Sequence, residues 1–124
     1  MAAITQLRPN TSEGSVLAKA GFRASKALGL SQKALADTIG VSSATVTRMK
    51  DGSFALGGKP FELMTCVIRI YRSLDAIVGG DGAAMRSWMA AQNTDLRGVP
   101  LALMTSPAGL IDVMNYLDAQ RAPL

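Results

Sequence analysis

Apolar residues in this chain recur at helical spacing, and glycine or proline interrupts each run. The last run places its apolar side chains at i, i+3, i+4 and i+7, namely at Leu110, Val113, Met114 and Leu117. The alternating pattern of a β-strand is rare throughout the chain. Ser31 and Ser42 each precede a short apolar run at the position where serine caps a helix. The sequence therefore predicts an all-α fold of about seven helices.

The same pattern divides the chain into three segments. Residues 1–15 have no apolar periodicity, and we expect a flexible N-terminal arm there. The run Gly57-Gly58-Lys59-Pro60 combines flexible residues with a proline suited to the first turn of a helix. We place a boundary at this run, with one helical domain over 16–59 and a second over 60–124.

The composition argues against catalysis and against metal binding. The chain has 124 residues, no histidine and one cysteine. These counts exclude Ser–His–Asp triads, Cys–His pairs and histidine-containing metal sites, and also an internal disulfide. The aspartates are scattered and lack a basic orienting partner. We expect no catalytic residue, no metal and no cofactor, and a protein that is not an enzyme.

The sequence gives a simple expectation about location. The N-terminus lacks the apolar core of a secretory signal. The most apolar stretch is interrupted by charged residues and falls short of the roughly 20 apolar residues that a membrane span needs. We expect a cytoplasmic protein with no membrane contact.

Positive charge is concentrated in the first half of the chain. Residues 1–59 contain eight basic and three acidic side chains, a net charge of +5. Residues 60–124 contain five basic and six acidic side chains, a net charge of −1. A field of this kind attracts a polyanion such as DNA, although a solvated basic face without a partner would have the same composition.

The segment from Ser31 to Gly52 carries the most specific signal. Two short helices that cross steeply need a small residue where they approach, here Ala36, and a turn residue that tolerates positive φ, here Gly40. Four apolar residues then anchor the pair to the core: Leu35, Ile39, Val41 and Val46. The segment resembles the helix-turn-helix of the Xre/lambda-repressor type. A purely structural helical hairpin is the alternative, but it would not need a polar third helix.

The resemblance implies that the helix from Ser43 to Lys50 enters the major groove of operator DNA, where side chains contact base edges and phosphates. The candidate DNA-binding residues are Gln32, Lys33, Ser42, Ser43, Ala44, Thr47, Arg48 and Lys50. Because one such helix contacts few base pairs, we expect a homodimer on two half-sites of double-stranded DNA.

A second set of motifs lies in the other half of the chain. A tryptophan is followed by Asn–x–x–Leu, Gly–x–Pro and Pro–x–Gly before a final amphipathic helix, at Trp88, Asn93, Leu96, Gly98, Pro100, Pro107 and Gly109. This order is similar to that in the toxin-binding domain of the Xre/MbcA/ParS antitoxins. Gly109 lies in the first turn of the last helix, where glycine is unfavourable. Its presence indicates close approach by another backbone, from the same fold or from a partner.

The resemblance implies an antitoxin whose partner is a RES-domain toxin, which consumes NAD, and whose C-terminal part covers the toxin's substrate cleft. The candidate toxin-binding residues are Trp88, Pro100, Leu101, Met104, Gly109, Tyr116, Gln120, Arg121 and Leu124. Trp88 fits a core position as well as a contact position. The alternative function is that of a stand-alone Xre-family transcriptional regulator whose C-terminal half only dimerises or senses a ligand.

Overall fold

The part of the chain that the structure describes folds into seven helices and no β-strand. The structure is a computed structural model that describes the backbone of residues 2–121 and the side chains of residues 13–121. The helices are α1 (Ala2–Leu28), α2 (Gln32–Ile39), α3 (Ser43–Lys50), α4 (Gly58–Ile77), α5 (Gly82–Ala90), α6 (Pro100–Leu103) and α7 (Pro107–Arg121). The all-α prediction is confirmed.

Local signals set the bounds of α2 and α3. The Ser31 hydroxyl accepts a hydrogen bond from the backbone N–H of Ala34 at 3.0 Å, and the Ser42 hydroxyl accepts one from that of Thr45 at 3.1 Å. Gly40 ends α2 with φ of 74°, a left-handed conformation that glycine adopts without strain. Both helices therefore begin and end where the sequence predicted.

The first helix differs from its prediction. We expected a flexible arm over residues 1–15 and a helix that begins near Val16. The backbone is instead helical from the start of α1, so the segment taken as an arm continues the helix. Near the C-terminal end of this segment, the Gly14 carbonyl accepts a hydrogen bond from the Leu56 N–H at 3.3 Å. The apolar periodicity on which the prediction relied does not extend into this segment, so the prediction missed its helix.

The fourth helix occupies the centre of the fold. It makes its most extensive contacts with α1 on one side and α7 on the other. The buried core is continuous through it and includes Leu28, Leu35, Ile39 and Val46 from before α4 and Met85, Met89, Leu110 and Leu117 from after it. α4 begins at the run where we placed the domain boundary. The division of the chain into 16–59 and 60–124 stays a prediction.

The junction of α6 and α7 explains the glycine in the last helix. A Cβ atom on Gly109 would lie 2.0 Å from the carbonyl oxygen of Leu103. The Ser106 hydroxyl accepts a hydrogen bond from the Gly109 N–H at 3.2 Å, so this serine caps α7 just before its first residue, Pro107. The close approach indicated by Gly109 therefore comes from the chain's own fold.

The described residues include neither a membrane-spanning helix nor a cluster of metal ligands. Among the helices of residues 2–121, none is long and apolar enough to cross a membrane. No group of three or more His, Cys, Asp or Glu side chains within the described part could hold a metal ion.

Replacement of Gly109 tests the α6–α7 junction. We expect Gly109→Ala to lower the free energy of unfolding by about 1–3 kcal/mol, because the new methyl group must displace backbone atoms. Gly82→Ala is the matched control in the first turn of α5. Its Cβ would lie 3.3 Å from the mobile end of Arg86, so we expect no loss and a gain of up to about 1 kcal/mol. Denaturant unfolding measures both variants, and equal stabilities would contradict the observed packing.

Candidate functional site

The candidate DNA-binding residues lie on α2, on α3 and in the turn between them. All eight of them are solvent-exposed: Gln32, Lys33, Ser42, Ser43, Ala44, Thr47, Arg48 and Lys50. The opposite side of α3 is buried and anchors the helix to the core through Thr45, Val46 and Met49. The third helix therefore has a polar outer face on an apolar anchor, which is the division that a groove-binding helix requires.

A side-chain contact joins the start of α2 to this face. The Thr47 hydroxyl lies 3.5 Å from the Gln32 side-chain oxygen and 3.2 Å from the Ser43 carbonyl. Gln32 also lines a cleft of about 210 Å³ together with Lys26 and Lys50. Two basic residues therefore line the same cleft as Gln32. The sequence analysis missed Lys26 because it lies on α1, outside the helix-turn-helix segment.

Arg48 is held in place by two neighbours. Its guanidinium lies 5.1 Å from the centre of the Phe54 ring, and its Nη2 donates a hydrogen bond to the Thr45 hydroxyl at 3.3 Å. The Thr45 hydroxyl also contacts that of the helix cap Ser42 at 3.0 Å. The sequence analysis missed Phe54, although the turn Asp51-Gly52-Ser53 returns the chain towards Arg48. The long side chain is therefore partly pre-positioned.

Lys33 has an exposed partner. Its ammonium lies 3.3 Å from the Asp37 carboxylate, and the two side chains are 81% and 52% exposed. A pair as exposed as this contributes about 0–1 kcal/mol. A phosphate can therefore replace the carboxylate at little cost.

A second surface, which we call the aromatic–acid site, combines Trp88, Asp95 and Tyr116. The two aromatic rings stack with centroids 6.2 Å apart and planes at 18°, and both side chains are half-buried. The Tyr116 hydroxyl donates a hydrogen bond to the Asp95 carboxylate at 2.9 Å. That hydrogen bond, with a smaller effect of desolvation, raises the pKa of Tyr116 above its usual value of 10.0.

A short closed loop fixes Asp95. Asn93 and Gly98 exchange two backbone hydrogen bonds of 2.9 and 3.2 Å, and the Asn93 side chain accepts the N–H of Leu96 at 2.9 Å. Arg97 completes the loop in a left-handed conformation with φ of 60°. The sequence analysis missed Asp95 because the pairing with Tyr116 spans 21 residues.

The structure corrects part of the candidate toxin-binding set. Pro100, Met104 and Gly109 are buried, because α6 and the turn after it pack under α7. These three residues shape the domain and do not form its surface. Leu101 is half-buried.

A polar network holds the end of α7. Ser73 is fully buried on α4, and its hydroxyl donates to the Asp118 carboxylate at 3.1 Å and accepts from the Arg121 guanidinium at 3.2 Å. Arg69 adds an ion pair with Asp118 at 2.8 Å. Gln120 is exposed on the same end of the helix. Leu124 lies outside the described residues.

The fold and its two surfaces define a helix-turn-helix protein with a second, helical segment beside it. Residues 10–65 match the family model for the antitoxin Xre-like helix-turn-helix domain. Residues 73–122 match the model for the antitoxin Xre/MbcA/ParS C-terminal toxin-binding domain. The chain belongs to the Xre/MbcA/ParS-type antitoxins. A search of curated proteins found no match.

The two matches imply a class of partner for each half of the chain. The first match contains the exposed face of α3, and a helix-turn-helix implies DNA binding. The second contains the aromatic–acid site and α7, and a toxin-binding domain implies a toxin partner. Antitoxin regulators of these families are generally not enzymes.

Titration of Tyr116 tests the aromatic–acid site. In a Tyr71→Phe background, which leaves one tyrosine to observe, we expect Asp95→Asn to lower the pKa of Tyr116, because a neutral amide accepts a weaker hydrogen bond from the phenol than a carboxylate does and does not repel the phenolate. The contact stabilises the folded chain below pH 10, the usual pKa of tyrosine, and this contribution is lost as the pH rises through the raised value. Phenolate absorbance measures the pKa, with Asp112→Asn as the control. Identical pKa values in the presence and absence of Asp95 would exclude the contact in solution.

Proposed function

We propose that this protein neutralises a RES-type, NAD-consuming toxin by covering its active site, and that it represses its own operon through the helix-turn-helix. It acts by binding and without catalysis, in the cytoplasm. The observation that carries the proposal is the tandem of two family matches on one short chain. A stand-alone regulator would have no need of a toxin-binding segment.

The DNA-binding half supports repression through its exposed face. Ser43 and Thr47 present hydroxyl groups, Ala44 presents a methyl group that suits thymine, and Arg48 suits guanine or a phosphate. Lys33 and Gln32, at the start of α2, are placed to contact the DNA backbone. One face of this size reads few base pairs, so the proposal includes a homodimer on half-sites about 34–36 Å apart.

The toxin-binding half supports neutralisation through its surface and its C-terminal end. Trp88, Leu101 and Tyr116 offer partly exposed apolar area, as the centre of a protein interface requires. The Ser73 network includes Arg121 and fixes the last turn of α7, where Gln120 is exposed. We propose that this end, together with Leu124, enters the substrate cleft of the toxin.

Substitutions on the basic face test the DNA-binding part. Arg48→Ala should weaken binding to the DNA upstream of its own operon by about 1–3 kcal/mol and relax sequence discrimination. Lys33→Ala should weaken binding to all duplexes alike and reduce the slope of log K against log salt by about one. Gel shift over a range of salt concentrations measures both. Arg86→Ala, which removes the same charge from α5, is the control, and unchanged binding in the first two variants would reject the assignment.

Truncation tests the toxin-binding part. The toxin encoded beside this chain's gene should consume NAD alone and stop when mixed with the full-length protein. A chain that ends at Asp118 should keep its helical circular dichroism, because the last fully buried side chain of α7 is Leu117, but it should not protect NAD. A chain that ends at Arg121 retains the Ser73 network and lacks only residues 122–124. Its activity therefore separates the contribution of these last residues from that of the network.

The result of the truncation assay decides between the two functions. Full inhibition by the chain that ends at Asp118 would exclude entry of the tail into the cleft. A neighbouring protein that neither consumes NAD nor binds the full-length chain would favour the stand-alone regulator.

A further inference from the structure

We propose that the aromatic–acid site binds an arginine side chain of the toxin. This inference rests on the proposed function, namely that the C-terminal half binds a toxin, and adds the chemistry of one contact. A guanidinium would lie against the stacked rings of Trp88 and Tyr116 and donate two hydrogen bonds to the Asp95 carboxylate.

The geometry of the site fits that group. The half-buried ring pair still has exposed area, and an aromatic face attracts a cation placed within about 6 Å. Asp95 is exposed and stands at the hydroxyl edge of Tyr116, 2.9 Å away. A planar guanidinium stacks on an aromatic ring and binds a carboxylate through a fork of two N–H groups, which an ammonium cannot do.

The carboxylate of Asp95 has capacity to spare. Its Oδ2 accepts the Tyr116 hydroxyl. The two ion pairs within 4 Å among the described residues are Lys33–Asp37 and Arg69–Asp118, and neither involves Asp95. Arg97 lies in the same loop and yet forms no such pair. Asp95 therefore has no ion-pair partner among the described residues.

Charge and rigidity favour a protein partner with a basic side chain. The Asp95 carboxylate is exposed and repels DNA phosphates. The closed loop from Asn93 to Gly98 already holds Asp95 in place, so binding would not lose entropy by ordering it.

The test measures the affinity of the full-length chain for the toxin encoded beside its gene. Asp95→Asn keeps an acceptor for Tyr116 and removes the charge. We expect the Kd to rise at least tenfold and to become less sensitive to salt. Asp112→Asn removes the same charge from an exposed position with no described hydrogen bond, and we expect less than a twofold change. Operator binding should be the same in both variants, and circular dichroism should show both of them folded at the temperature of the assay.

A second substitution separates the rings from the carboxylate. Trp88→Leu preserves an apolar side chain and removes an aromatic face, and we expect the Kd to rise at least fivefold. A double-mutant cycle between Asp95→Asn and alanine variants of the exposed arginines of the toxin should identify one arginine whose loss raises the Kd by a smaller factor once Asp95 is replaced.

Each other result overturns the inference in a distinguishable way. If the wild-type chain does not bind the neighbouring protein, the proposed function fails and the inference fails with it. If the wild-type chain binds and Asp95→Asn binds equally tightly, the inference alone fails. If sedimentation shows that Asp95→Asn dissociates a homodimer while its toxin affinity is unchanged, the site holds a second copy of this chain, and the arginine of the toxin is excluded.

Discussion

The packing of α4 against both α1 and α7 holds the two functional surfaces in one structure. Its inner stripe, Met64, Val67, Ile70 and Leu74, is at most 1% exposed. Gly21 permits the close approach of α1, since a Cβ there would lie 2.3 Å from the Met64 sulfur. Burying one such side chain contributes about 1.5–3 kcal/mol, whereas small proteins are stable by only about 5–15 kcal/mol. A substitution that weakens the core packing beneath one surface therefore also lowers the stability of the other.

Polar contacts on α4 give the second half its register as well as its stability. Apolar packing alone tolerates small shifts of a helix along its axis, whereas a buried hydroxyl with one donor and one acceptor does not. Ser73 uses both, towards Asp118 and Arg121 on α7. The position of the last turn of α7 is therefore set by a residue on the helix that also supports the DNA-binding half.

The sequence predicted what depends on near neighbours and missed what depends on tertiary contacts. Ser31 and Gly40 each set one end of α2 through contacts within four residues, so its bounds could be predicted. The close approach of a backbone to Gly109 could also be predicted, although the sequence did not show that this backbone is that of Leu103. The pairing of Tyr116 with Asp95 joins positions 21 residues apart, and no local pattern encodes that distance.

The contacts of Arg48 suggest how the free and DNA-bound states differ. A cation–π contact at an exposed position contributes about 0.5–1 kcal/mol, and this is the scale of its hold on Phe54. A bidentate contact with guanine discriminates by about 1–3 kcal/mol. In the proposed complex with DNA, contact with a guanine therefore outweighs the contact with Phe54, and Arg48 exchanges the ring for the base.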